Sequence, residues 1–402
     1  MASRILVFGA SQSMQLLLTK CLTANQHEVV AASSAADAAH LLEEASPDVV
    51  LGDASGVPLA DVLRELLTKR PGQSSAVTAP ILLLDRDATP GRRVEALVAG
   101  ARDLIAWPVN QRLLLARLRG VLREVHAMRE TKRRDAAALT FGFSEAPDGF
   151  TGPRTIAFVA PEGPEATFPT LDGKGLSARI IRLTPAEALS ATGEAAPVDA
   201  FVLDGKSLHK TVSFNILPEL RAREHSRHAG ILFIHDADDD DLAATALDSG
   251  ASDILAGDAR EEELKRRLVA LLDRKTEEDA LRRSSENSYR AAATDELTGL
   301  YNRRYAQKYL RDALTDAAPP NEAVTTMIVD IDHFKRINDT HGHAAGDAVL
   351  VEVARRMKDN LRTIDMVARY GGEEFLVVLP GTELSKAGPA ADRLRRMIGS
   401  VP

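Results

Sequence analysis

Short, unbroken apolar runs alternate along most of the chain with longer stretches of mixed polarity. Ile5–Phe8, Val49–Leu51 and Ile81–Leu84 are continuously apolar, as strands covered on both faces are. Between them, Ala35–Glu44 and Leu59–Thr68 carry their apolar residues at helical spacing. That alternation predicts a parallel sheet flanked by helices. The same order then returns. Ile156–Val159 answers the first run, and Ala200–Leu203 followed by Asp204 answers Val49–Leu51 followed by Gly52 and Asp53. Ile231–Ile234 answers Ile81–Leu84, and Gly250-Ala251-Ser252-Asp253 parallels Gly100-Ala101-Arg102-Asp103. Two copies of one α/β plan support the reading better than either alone.

Each copy ends in a helical seam. Leu114, Leu118, Val121, Val125 and Met128 recur at three- and four-residue steps in the first, and Leu264, Leu268, Leu271 and Leu272 in the second. The first halves of these seams are expected to close their own domain. Their charged continuations, Arg129–Asp135 and Lys275–Arg290, read as signalling linkers, the first followed by a loop at Phe141–Pro153.

A different pattern occupies the C-terminal quarter. Thr325–Val329 is a β-prone run that ends in Asp330-Ile331-Asp332. Further on, Met366-Val367-Ala368 and Leu376–Leu379 flank Arg369-Tyr370-Gly371-Gly372-Glu373-Glu374-Phe375 and predict a β-hairpin whose glycines take positive φ. Glycines without a Cβ also let a large ligand lie against the backbone. Glu373 and Glu374 should face opposite sides, because strand side chains alternate. Asp330, Asp332 and Glu373 are three carboxylates expected to converge where neighbouring strands end, and hard oxygen ligands suit Mg²⁺.

Composition narrows the class. A chain of 402 residues accommodates roughly two to four domains at about 150 each. The net charge of −8 argues against a nucleic-acid partner. The single cysteine, Cys21, excludes an internal disulfide and is expected in the core. No apolar run reaches the roughly 18 residues of a membrane span, and no signal peptide opens the sequence, so the expected location is the cytoplasm. His333, His341 and His343 lack acid or cysteine partners at zinc spacing and read as surface or loop residues. Trp107, Phe334 and Phe375 read as packing groups.

Four motifs in order carry a resemblance. Asp295-Glu296-Leu297-Thr298-Gly299-Leu300-Tyr301-Asn302-Arg303-Arg304, Asp330-Ile331-Asp332-His333-Phe334-Lys335-Arg336-Ile337-Asn338, His343-Ala344-Ala345-Gly346-Asp347 and the Gly371–Phe375 hairpin together resemble the GGDEF family of diguanylate cyclases. The resemblance implies an α/β palm-like domain that condenses two GTP into cyclic di-GMP. It implies Mg²⁺, or Mn²⁺ in its place, held by Asp330, Glu373 and the Ile331 carbonyl, with Glu373 also a candidate base. Asn338 and Asp347 would take the guanine, and backbone N–H groups at Phe334 and Lys335 the β- and γ-phosphates. Helix capping is the alternative reading for Asp347, which stands just before an expected helix Ala348–Leu361. Arg362 and Asp365, with Arg393, resemble the family's inhibitory product site; an i,i+3 surface ion pair is the alternative.

The two N-terminal copies resemble response-regulator receiver domains, flavodoxin-like with five parallel strands. Working receivers carry an acid pair, an acceptor Asp, a hydroxyl residue and a Lys. Asp53 matches the acceptor in the first copy, but Gly9 and Ala10 replace the acids, Asp85 the hydroxyl and Trp107 the lysine. In the second Asp204 matches, while Ala160, Pro161, His235 and Gly257 replace the rest. Both copies are therefore expected to be structural and dimerising modules. Asp53 is the candidate phosphorylation position for a cognate histidine kinase.

The expected order is receiver-like 1–125, linker 126–153, receiver-like 154–273, helical linker 274–293 and GGDEF 294–402. Since one domain presents one GTP, the expected working unit is an antiparallel homodimer. The competing class is a cyclic di-GMP receptor that binds through Arg362 and Asp365 without turnover. Family members carry a further strand and a helix with a Lys and an Arg past this point, so the sequence is expected to be a C-terminally shortened form with weak GTP binding.

Overall fold

The computed structural model describes residues 3–9, 11–68, 79–139, 154–161, 176, 178–190, 197–208, 210–314 and 323–399. Ala10, the Phe141–Pro153 loop and Ser400–Pro402 lie outside them. The chain forms two compact units, Met1–Arg133 with Asp148–Arg282, and Arg134–Pro147 with Arg283–Pro402.

The first unit holds both α/β copies. Copy one runs β1 (Arg4–Phe8), α1 (Gln12–Ala24), β2 (Glu28–Ala32), α2 (Ala35–Ala45), β3 (Val49–Asp53), α3 (Leu59–Thr68), β4 (Ile81–Asp85), α4 (Pro90–Val98), β5 (Asp103–Ala106) and α5 (Gln111–Leu139). Copy two runs β6 (Arg154–Val159), β7 (Ala178–Leu183), α6 (Pro185–Ser190), β8 (Ala200–Asp204), α7 (Lys210–Ala222), β9 (Gly230–His235), α8 (Asp240–Asp248), β10 (Asp253–Ala256) and α9 (Glu261–Ala293). The sheets are ordered β2-β1-β3-β4-β5 and β10-β9-β8-β6-β7, the same topology read from opposite edges, and all pairs are parallel. Every residue of β4, β8 and β9 is buried, as their unbroken apolar runs require. Helix starts follow local chemistry. Thr89 caps α4 with Pro90 in its first turn, and Asp239 caps α8 ahead of Asp240 and Asp241.

The seams behave as their first halves predict: Leu114, Leu118, Val121 and Val125 join the first copy's core, and Leu264, Leu268, Leu271 and Leu272 the second's. Cys21 departs from expectation. It sits half-buried on α1, and burial pushes its thiol pKa up.

The copies meet along α4, β5 and α5 of the first and α8, β10 and α9 of the second, through Leu113 and Ala116 of α5, which join the second copy's apolar cluster, and through a dense set of ion pairs. Arg93 reaches Glu263 at 3.0 Å and Asp258 at 2.8 Å, and Arg102 reaches Asp253 at 3.2 Å. Arg112 and Arg119 engage Asp241 and Asp248. At the centre Arg267, only 2% exposed, spans Asp103 (2.7 Å), Asp253 (3.2 Å) and Glu263 (2.9 Å), while Arg117 also pairs with Asp103. Burial alone would raise the Asp253 pKa, but Arg267 and Arg102 outweigh it and hold the carboxyl well below the usual range. Burial draws the Arg117 guanidinium down to about 10.

The second unit contains β11 (Tyr301–Asn302), α10 (Arg303–Leu314), β12 (Val324–Asp330), α11 (Phe334–His341), α12 (His343–Asn360), β13 (Met366–Arg369), β14 (Glu374–Pro380) and α13 (Leu384–Gly399). Its sheet is ordered β11-β13-β14-β12, with β14 antiparallel to both neighbours. Strand alternation divides the core. Phe375, Val377 and Leu379 face Phe334, Leu350 and Met357, whereas Leu376 and Val378 pack beside Ala306 of α10. Phe334 and Phe375 are thus packing groups, and Trp107 packs against the first copy's core.

Candidate active site

The register of β12 on β14 builds the site. Asp330 stands across from Glu374 and Val329 across from Phe375, so the end of β12 lies beside the hairpin tip where Glu373 precedes β14. Asp330 is exposed and Glu373 half-buried, and among the described residues neither carboxylate has a hydrogen-bond or ion-pair partner. The expected three-acid cluster does not form: no three His, Cys, Asp or Glu among the described residues are grouped to hold a metal. The strand stops at Asp330, which leaves Asp332 in the turn that follows. Two carboxylates and the Ile331 carbonyl remain, all hard oxygen donors of the kind that bind Mg²⁺ or Mn²⁺ while leaving positions for phosphate and water. That carbonyl accepts the Phe334 N–H at a long 3.3 Å and keeps a lone pair.

The hairpin itself differs from expectation. Neither Gly371 nor Gly372 takes positive φ. The turn is wide: Tyr370 and Gly371 N–H both donate to the Glu374 carbonyl, at 2.8 and 3.1 Å, so no left-handed residue is needed. Close approach is what favours glycine at position 371, where a Cβ would strike the Glu374 carboxylate; position 372 is open. Arg369, which composition and spacing did not single out, holds this tip. Its guanidinium donates to the Gly372 carbonyl (2.8 and 3.1 Å) and to both oxygens of Asp295 (3.2 and 3.3 Å). Asp295 also accepts the Thr298 N–H and hydroxyl. Its burial would raise the pKa, but the Thr298 hydrogen bonds and Arg369 bring it below the usual value.

Asn338 lies on α11 with its side-chain oxygen against Gly346, so closely that any Cβ there would collide with it. The glycine therefore seats Asn338 beside the turn of α12 that bears Asp347. Asp347 is not a cap. The helix begins at His343, with Gly342 at φ 83° before it, and Asp347 is exposed inside the second turn. In the turn before α11, His333 adopts φ 58°, and the Lys335 N–H has no acceptor among the described residues. The Lys335 side chain is exposed and without a partner there.

Arg362 and Asp365 do not make the surface ion pair. Asp365 accepts the Arg362 backbone N–H at 2.8 Å, its other oxygen is buried without a partner, and the exposed guanidinium is unpaired among the described residues. Arg393, on α13, is likewise exposed.

The acceptor pockets of the two copies are occupied by their own side chains. A Cβ at Gly9 would come within 2.6 Å of the Asp53 Cβ, so an acid there has no room. Asp85, 1% exposed, binds Arg92 of α4 (Nε to Oδ2, 2.7 Å), whose Nη2 also donates to the Val57 carbonyl at 3.3 Å. In the second copy Asp204 accepts from Ser207 Oγ and the Lys206 N–H, and the Lys206 amine lies where a Cβ at Gly257 would stand.

The family "Diguanylate cyclase, GGDEF domain" matches residues 292–402. The response regulator PleD of Caulobacter vibrioides is 31% identical over the whole of this chain, which spans 88% of PleD. This chain belongs to the PleD family of GGDEF diguanylate cyclases. As a PleD-type protein it is a nucleotidyltransferase, two receiver-like α/β domains followed by a GGDEF domain. Other likenesses cover about a third of the chain or less. DgcP, a diguanylate cyclase of Pseudomonas aeruginosa, is 41% identical over 35% of this chain and 22% of its own length. The GGDEF domain of DgcB from Caulobacter crescentus, solved in complex with c-di-GMP, is 35% identical over 27% of this chain and 64% of that one, with a TM-score of 0.27. No helix among the described residues is long and apolar enough to cross a membrane.

Proposed function

We propose that this PleD-type chain condenses two GTP into cyclic di-GMP and two pyrophosphates, with two GGDEF domains facing each other antiparallel. The observation that carries this reading is the pair of unengaged carboxylates, Asp330 and Glu373, at one end of β12 and β14. Asp330, Glu373 and the Ile331 carbonyl hold Mg²⁺, or Mn²⁺, which when bound offsets phosphate charge. Asn338 and Asp347 read guanine: the amide suits its acceptor edge and the carboxylate its N–H donors. The free Lys335 N–H and ammonium serve the β- and γ-phosphates. Gly372 leaves the hairpin backbone open to the nucleotide.

Each 3′-hydroxyl attacks the α-phosphorus of the facing GTP, forming one P–O bond as the bond to the β-phosphate breaks and pyrophosphate leaves. Glu373 accepts the hydroxyl proton. Holding both nucleotides in register supplies several kcal/mol of the barrier reduction, about 7 at the lower end of effective-molarity estimates. Arg362, Asp365 and Arg393 bind the product at an inhibitory site, and the receiver-like pair governs how often the half-sites meet. Incubation with GTP and Mg²⁺ followed by product analysis tests the reading. Cyclic di-GMP should accumulate, and Glu373→Gln should reduce it by at least about a hundredfold, the loss expected when a proton-transfer group goes. Binding of cyclic di-GMP without turnover would assign a receptor instead.

A further inference from the structure

Between the two receiver-like copies lies a cleft of about 580 Å³, within the range of small-molecule sites. One wall is α5 of the first copy; the other comprises the start of β9, the turn after α8 and the middle of α9. Five cationic side chains line it against three carboxylates. Two of the carboxylates are already spent, Glu124 on Arg102 and Asp248 on Arg119.

Arg274 is left short of acceptors. Its nearest carboxylate oxygen, on Glu124, is 3.8 Å from Nε, and its Nη2 is buried with no partner. Burial and the neighbouring Arg102 draw its pKa down to about 10, against the opposing pull of Glu124, Asp253 and Glu278. A buried guanidinium nitrogen without an acceptor calls for an anion or an ordered water. Arg227 lines the same cleft, as does Lys275, whose amine is paired with Asp279, and Ala229, Gly230 and Leu271 give it an apolar floor. A bare phosphate ion would leave most of that volume and the whole floor uncovered.

We infer that this cleft binds a small phosphorylated molecule of nucleoside-monophosphate size, its phosphate on Arg274 and its ring on the Ala229–Gly230 floor. Arg274 supplies the planar fork that matches a phosphate, and the exposed Arg227 adds charge at the rim. The site is separate from Asp330, Glu373, Asn338 and Asp347, and its occupancy does not depend on the cyclase reading. Four lining residues, Leu271, Arg274, Lys275 and Glu278, sit on the helix whose C-terminal end leads in sequence to the GGDEF domain.

The test is isothermal titration of the full chain with 5′-AMP and, separately, inorganic phosphate at fixed ionic strength. 5′-AMP is the probe because it lacks the guanine edge read by Asn338 and Asp347. It should bind at least about tenfold more tightly than phosphate, and Arg274→Gln should weaken it by about tenfold or more. Arg227→Gln, an exposed change that spares the fold, should weaken it too. Hydrogen exchange should slow in 120–127 and 271–278 on binding. Equal affinity for the two probes, no binding of either, or affinity unchanged in both folded variants would overturn the proposal.

Discussion

Gly346 is a residue whose value lies in what it lacks. Asn338 occupies the space of its missing side chain, so Gly346→Ala should displace the amide from its place beside Asp347. The expected outcome is a KM for GTP raised by about tenfold, with a smaller change in kcat, measured by pyrophosphate release; losing one well-placed hydrogen bond has that size. Arg362 poses the opposite case, a charge with nothing to do in the free domain. Arg362→Ala should leave the initial rate within about twofold and shift the cyclic di-GMP inhibition curve to at least about tenfold higher concentration. An unmoved curve would remove the residue from a product site. Sequence motifs made Asp330, Glu373, Asn338 and Asp347 legible because each sits in a short pattern. Arg369 was not, since its partner Asp295 is distant in the chain and only the fold brings them together.

At the scale of elements, the central strands were readable almost to the residue, because a run buried on both faces has no polar position to blur its ends. The half-exposed edge strands β2 and β7 and the short β11 were not read. Leu59–Thr68 was read with the boundaries it has. The start of α12 was missed by several residues because Gly342 and Gly346 punctuate the sequence as a loop would. In the structure the first is the cap and the second makes room for Asn338. Elements also decide whether the receiver-like copies can respond to phosphate. Arg92 ties α4 to Asp85 and to the loop after β3, so the helix that would move is already held by an internal anion. Acetyl phosphate or beryllofluoride should therefore change cyclase activity by less than about twofold, within the effect of a surface perturbation. Activation that Asp53→Asn abolishes would show that the acceptor works without its usual partners.

Across the first unit, the ion lattice between the copies is the largest feature that the sequence could not disclose. Asp103 and Asp253 each open the last strand of their copy, and Arg117 and Arg267 hold matching places on the helices that follow. Each charge alone reads as an ordinary surface residue; their burial appears only when the copies face each other. Arg267→Met should destabilise this unit by about 3–5 kcal/mol at pH 7, because Asp103, Asp253 and Glu263 lose their shared cation. Asp253 gives the pH dependence its sign. With its folded pKa below the unfolded value of about 3.9, its contribution is complete above that pH and lost as pH falls further. The thermal midpoint should hold steady from about pH 7 to 5 and drop below about pH 4, with the gap to Arg267→Met narrowing as it drops. A midpoint indifferent to acid would mean the lattice adds nothing to stability.

The filled acceptor pockets have a consequence for anyone who would rebuild them. A lysine restored at position 257 meets the amine of Lys206, an acid restored at position 9 meets Asp53, and a threonine at position 85 strands Arg92. A single change at position 9 or 85 therefore displaces or strands a neighbour and, with the other positions unchanged, should not give back phosphotransfer. In such a scaffold partial repair adds strain before it adds chemistry, so a working acceptor site calls for several substitutions made together.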